Sequence, residues 1–153
     1  MKYAIKILSA LLIVVILLPC NAFAANTAEC DRQIIYYEDG SYMLIETKYI
    51  DTRATSTRVG YRSYTRYSAT NQIQWVATLS ATFEYDKSTA VCLSSNCDVE
   101  ITNTNWHLVS KSASKSGATA TAQVTMQHKL LGITINTETI DLSLTCSPNG
   151  DFT

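Results

Sequence analysis

The sequence predicts an all-β fold, an antiparallel two-sheet β-sandwich of immunoglobulin-like flavour. Three observations predict it. In IQWVATLSATFEY (Ile73–Tyr85), the apolar residues Ile73, Trp75, Ala77, Leu79, Ala81 and Phe83 alternate with Gln74, Thr78, Ser80, Thr82 and Glu84, the period of a half-buried strand. Ala118, Ala120, Ala122, Val124 and Met126 alternate in the same way with Thr119, Thr121, Gln123, Thr125 and Gln127. Beyond Ala24 no segment has the spacing of an amphipathic helix, and short turn-forming clusters divide the chain into about nine runs.

The N-terminal end reads as an export signal. Lys2 and Lys6 precede the apolar run Ile7–Leu18, Pro19 ends it, and Ala22-Phe23-Ala24 puts small residues at the cleavage positions, the pattern of a bacterial-type secretory signal over residues 1–24. The run is shorter than the about 20 residues of a membrane span. A lipoprotein signal with Cys20 as the lipidated residue is the rival, and Pro19 stands where that signal wants a small residue. Cleavage after Ala24 leaves residues 25–153 as one domain, expected to be released and extracellular. Of 12 Lys and Arg, 2 leave with the signal, and the remaining 10 face 13 Asp and Glu, a net charge near −3. That excludes a nucleic-acid-binding composition, and without a later apolar run a membrane is not an expected partner of the mature form.

Cys30, Cys92, Cys97 and Cys146 remain after cleavage. An even count in an exported chain predicts two disulfides. Three pairings are possible. The favoured one is Cys92–Cys97, closing LSSN as a local loop, with Cys30–Cys146 joining the first strand to the last. The parity of Ile34 and Tyr36 aims Cys30 inward, and that of Ile140, Leu142 and Leu144 aims Cys146 inward. Paired C-x-x-C knuckles are missing, which argues against zinc.

Each element follows in order. Gln33–Tyr37 and Tyr42–Ile50 flank Glu38-Asp39-Gly40-Ser41, a hairpin signal because Gly accepts positive φ. Thr57–Tyr67 alternates through Val59, Tyr61 and Tyr67, with Gly60 marking a bulge or a close backbone approach. Ser68–Gln72 turns it into Ile73–Tyr85. At about 3.4 Å per residue that strand is roughly 40 Å long and needs long partners on both edges. Thr89–Cys92 and Asp98–Thr102 are expected as short strands around the small disulfide loop. Trp106–Lys111 is a further strand, and Ser112–Gly117 a flexible or bulged link. After the alanine strand, Lys129–Gly132 turns the chain. Apolar parity then changes between Ile135 and Ile140, which predicts a β-bulge near Asn136–Glu138. Ser147–Thr153 reads as a polar tail.

Three stretches carry a resemblance: W-x(5)-ATFEY from Trp75 to Tyr85, SKSASKSGATATA from Ser110 to Ala122, and LTCSPNG from Leu144 to Gly150. On them the chain resembles a group of small secreted proteins of Gram-positive bacteria over most of residues 70–150. The resemblance implies a secreted β-rich protein and carries no activity and no site residues.

Catalytic motifs are absent from the sequence, and the chain is expected not to be an enzyme and to need no cofactor or metal. His107 and His128 read as surface or strand-end residues. Glu84 with Asp86, and Asp98 with Glu100, read as solvated acids beside turns rather than as a calcium or glycosidase pair. The distinctive surface is Arg53, Arg58, Arg62 and Arg66 interleaved with Tyr61, Tyr64 and Tyr67. Guanidinium suits phosphate and carboxylate, and rings stack on sugar faces, so an anionic cell-wall polymer or surface glycan is the partner this surface would take; the competing and favoured reading is an ordinary polar strand face with cation–π pairs. The favoured function is a secreted, non-enzymatic sandwich that binds at the cell envelope. One alternative is a membrane-active toxin or bacteriocin-like protein that inserts the hairpin 117–146. A hydrolase using Asp98, Glu100 or a histidine ranks last.

Overall fold

The computed structural model of the chain describes residues 27–51 and 56–153, with residues 27–30 by their backbone alone. The signal expected over residues 1–24, and Arg53, lie outside the described residues.

Eight strands follow one another: β1 (Thr27–Tyr36), β2 (Tyr42–Asp51), β3 (Thr57–Tyr67), β4 (Ile73–Tyr85), β5 (Ala90–Ile101), β6 (Trp106–Ser116), β7 (Thr119–Leu130) and β8 (Ile133–Thr145). They form two antiparallel sheets, a five-stranded one in the order β1-β2-β3-β4-β5 and a three-stranded one in the order β6-β7-β8. Neighbours in sequence are neighbours in space throughout, so both sheets are meanders without the crossing connection of a Greek key. The small sheet lies over β3, β4 and β5. No helix among the described residues is long and apolar enough to cross a membrane.

β4 lies between β3 and β5 in the large sheet, paired along its length with both. Trp75, Ala77, Leu79, Ala81 and Phe83 are all buried. Across from them the small sheet contributes Ala120, Ala122, Val124, Met126, Leu142 and Leu144. The alanines allow close approach, and Gly60 allows more. A Cβ on Gly60 would stand 2.7 Å from Leu144 Cδ2 and 2.9 Å from the Phe152 ring, so the glycine marks a close approach and not a bulge. Phe152 itself is buried against Phe83 and Tyr49. The polar-looking tail therefore folds back, bridging Cys146 to Phe152, and supplies a core residue.

Three expectations need correction. Residues 90–101 form one strand and not two flanking a loop. An extra residue, Leu93, sits between the pairs Cys92–Phe83 and Ser94–Thr82. That bulge reverses the parity, so Cys92 and Cys97 both point inward although they are five positions apart. They face Phe83 and Leu79 on β4, about 14 Å apart at the rise of a strand, whereas a disulfide needs α-carbons within about 7 Å. The Cys92–Cys97 bridge is thus excluded. Cys92, Cys97 and Cys146 stand as free, buried thiols, and the Cys30 side chain lies outside the described residues. Second, Ser112–Ser116 is not a link but part of β6, paired residue by residue with β7 up to Gly117. Its polar composition suits an edge strand whose side chains are exposed. Third, the bulge on β8 falls at Ile135, between the pairs His128–Asn136 and Lys129–Thr134, one residue before the expected stretch.

Candidate functional site

The arginine strand presents its charges inward. β3 pairs Arg58 with Phe83, Gly60 with Ala81, Arg62 with Leu79, Tyr64 with Ala77 and Arg66 with Trp75. The partners are buried core residues, so Arg58, Arg62, Tyr64 and Arg66 lie on the inner face, and Tyr61 and Tyr67 lie on the outer one. The expected shared Arg/Tyr surface is therefore split between two faces, and its members have separate duties.

Arg58 holds the tail. Its Nε donates to Asp51 Oδ1 at 2.6 Å and its Nη1 to the Gly150 carbonyl at 2.5 Å. Tyr49 and Tyr85 rings lie 4.8 and 5.4 Å from its guanidinium carbon. Arg62 Nη1 donates to Thr47 Oγ1 at 3.2 Å, and Tyr64 packs against the core. These three are structural.

Arg66 differs. It is 5% exposed. Its Nη2 meets Glu138 Oε1 of β8 at 3.2 Å, and the Tyr37 ring covers its guanidinium at 3.9 Å. Among the described residues its Nε and Nη1 have no hydrogen-bond partner, and neither has Glu138 Oε2 or the indole Nε1 of Trp75, which faces Arg66 across the strands. A buried donor left unpaired costs about 1–3 kcal/mol, and native interiors keep such groups few. Here four orphaned atoms belong to three neighbouring residues.

Arg66 also lines a cleft of about 400 Å³ at the end of the sandwich, with Asp39, Ser41, Gln74, Trp106, His128 and Asn136 among its walls. That size falls within the range of ligand clefts, about 300–1,000 Å³. One wall is aromatic. The His128 ring stacks on Trp106 at 4.8 Å and 7°, and Trp106 meets Trp75 edge-on at 6.0 Å. The other walls are polar, with amides from Gln74 and Asn136 and the carboxylate of Asp39. The Ser41 hydroxyl and backbone N–H both donate to Asp39 Oδ1 and hold that carboxyl below its ordinary pKa. Burial pushes Glu138 above its ordinary pKa against the opposing pull of Arg66. Burial, then Glu138, raises the Tyr37 phenol.

Tyr67, on the opposite face, joins the cleft to a second depression. It lines both, and its ring stacks on Tyr42 at 4.6 Å, with Tyr36 a further 5.8 Å along. This row of tyrosines across β3, β2 and β1 is wet, with Tyr36 72% exposed.

Sequence reasoning finds Arg66 and Tyr67 and misses Trp106, His128 and Asp39 as walls of the same cleft, and Trp75 and Glu138 as the neighbours that hold Arg66. His107, by contrast, is exposed on β6. Asp86 caps its own turn, accepting from the backbone of Ser88 and Thr89 at 2.9 and 2.7 Å. Asp98 accepts from Asn96 and Lys111. The hairpin 117–146 is β7–β8, and its inward residues are core, so a stem made from it has to leave the sandwich. Burial raises the pKa of all three free cysteines, which keeps them as thiols and not nucleophilic thiolates. No group of three or more His, Cys, Asp or Glu side chains able to hold a metal occurs among the described residues.

Comparison with family models, with curated proteins and with solved structures found no match for this chain.

Proposed function

We propose that the protein is a secreted, non-enzymatic β-sandwich that binds a neutral, hydroxyl-rich saccharide unit of an extracellular or cell-envelope polymer in the cleft over Arg66. The observation that carries this reading is Arg66 itself, a buried guanidinium at the cleft with two unpaired N–H groups. The cleft lining offers both donors and acceptors. Arg66 is its donor and Asp39 its acceptor, Gln74 and Asn136 can do either, and Trp75 and Glu138 lie behind Arg66. Sugar hydroxyls, which donate and accept at once, match such a set, and the Trp106–His128 wall offers the apolar surface that a pyranose face covers.

Charge decides against the polyanion suggested by the arginines. Glu138 already balances Arg66, and Asp39 adds a negative charge at the same cleft. Arg58 donates to Asp51 and Gly150, and Arg62 to Thr47, inside the fold. A phosphate or carboxylate polymer thus meets no surplus positive charge there. The tyrosine row beyond Tyr67 extends the path along which a longer glycan lies. Export rests on the N-terminal signal pattern.

Retention on isolated cell-wall polysaccharide tests the reading. Wild type is expected to be retained, to be eluted by free saccharide, and to stay bound in 0.5 M salt, because screening acts on charge and not on neutral hydroxyls, with a Debye length of about 3–10 Å. Retention that salt abolishes contradicts it.

A further inference from the structure

We infer that the β7–β8 turn is a lipid-insertion tip, by which the protein docks on a membrane surface without spanning it. Among the described residues six large apolar side chains are more than half exposed, and four of them lie at this turn: Leu130 at 53%, Leu131 at 95%, Ile133 at 69% and Ile135 at 54%. Leu130 pairs with Ile133, leaving a two-residue turn with Leu131 at φ 51° and Gly132 at φ 81°. Positive φ at both central positions is the type I′ pattern, where Asn-Gly is the favoured pair. A leucine in left-handed backbone costs stability, and this one gains no burial in return. An apolar residue held out at such a place points to something that receives it.

The shape and size of the patch identify the receiver as a lipid surface. The tip is convex, so it enters a soft medium more readily than it covers a flat partner. Four side chains expose on the order of a few hundred Å², short of the roughly 1,200 Å² that a stable protein interface needs. They suffice for an interfacial anchor, in which apolar side chains reach about 5–10 Å into the headgroup boundary while basic residues meet anionic lipid. Charge agrees with this. From Ile101 to Thr137 the sequence has no Asp or Glu, and Lys129 stands directly before the tip. Ile135 lines both the tip and the Arg66 cleft, so docking by the tip turns the cleft toward the headgroup layer. The tip's lipid affinity does not depend on what the cleft binds.

Flotation with vesicles tests the inference, using phosphatidylcholine alone and phosphatidylcholine with about one-third phosphatidylglycerol. Wild type is expected to float with both, more completely with the anionic mixture. Leu131→Asn gives the turn the residue that its backbone favours, so it should fold with an unchanged or higher Tm and lose vesicle binding at least tenfold. Arg66→Gln should float like wild type while losing saccharide binding, which separates the two sites. Equal flotation of wild type and L131N overturns the inference, as does wild type that floats with neither vesicle. Sedimentation without lipid provides the remaining check: wild type that dimerises where L131N stays monomeric assigns the tip to a second copy of the chain and overturns the lipid reading.

Discussion

Arg66 of β3 and Glu138 of β8 form an ion pair between the two sheets, 3.2 Å from Nη2 to Oε1, with Arg66 buried and Glu138 partly buried. Removing one partner of such a pair strands the other. Arg66→Met is expected to cost about 3–5 kcal/mol at neutral pH. The cost should shrink in acid, where the stranded Glu138 takes up a proton. Urea unfolding at two pH values measures both effects.

The same carboxyl gives the wild type a pH signature. Burial raises Glu138, while Arg66 opposes, and Asp39 adds a smaller push upward. A raised carboxyl binds its proton more tightly in the folded chain than in the unfolded one. Its contribution to stability is therefore greatest below the ordinary glutamate range and falls as pH rises through the raised value. Asp39, depressed by Ser41, acts in the opposite sense, gaining stability above the ordinary aspartate range. Glu138→Gln should remove the upper step and keep the lower one, as read from Tm against pH.

Gly60 sets the spacing of the sheets. Gly60→Ala puts a methyl 2.7 Å from Leu144 and 2.9 Å from Phe152. Overpacking of this kind costs about 1–3 kcal/mol. The denaturation midpoint should fall with its slope unchanged, since the surface exposed on unfolding stays the same.

Much of this fold was legible in the sequence because period two survives wherever a strand pairs without interruption. β4 and the alanine strand β7 are read directly, and so is the Asp39-Gly40 hairpin. Gly60 reads as a close approach or a bulge, and the parity change on β8 places its bulge to within one residue. Reading failed where a bulge hid inside a polar stretch. Leu93-Ser94-Ser95-Asn96 looks like a loop, and only the pairing with β4 makes it strand. The arginines failed for another reason. Polar residues on one face of β3 look exposed until their partners are known, and Glu138 and Gly150 lie more than 70 positions away. The cleft combines the ends of several strands, which no local pattern signals.

Arg58 and Arg66 should separate in experiment although they share one strand face. Arg58→Gln removes the bonds to Asp51 and Gly150, and charged hydrogen bonds contribute about 1.5–3 kcal/mol. Its Tm should drop, with saccharide affinity unchanged once folded.

The three described cysteines are buried thiols, so iodoacetamide should leave Cys92, Cys97 and Cys146 unmodified in the native protein and label them in urea. Mass mapping without reductant should yield no Cys92–Cys97 peptide. Finding that peptide refutes the single-strand β5.

Tryptophan fluorescence reports the central claim most directly, because the chain has two tryptophans and both are buried beside Arg66 or in the cleft wall. Neutral oligosaccharides released from cell-wall polysaccharide are titrated into wild type, Arg66→Gln and His128→Ala, with poly(glycerol phosphate) as the charged control. The account predicts a saturable change with a neutral oligosaccharide in wild type, affinity at least tenfold weaker in both variants, and no dependence on salt. A response to the phosphate polymer alone, or to a neutral sugar equally in all three proteins, contradicts it.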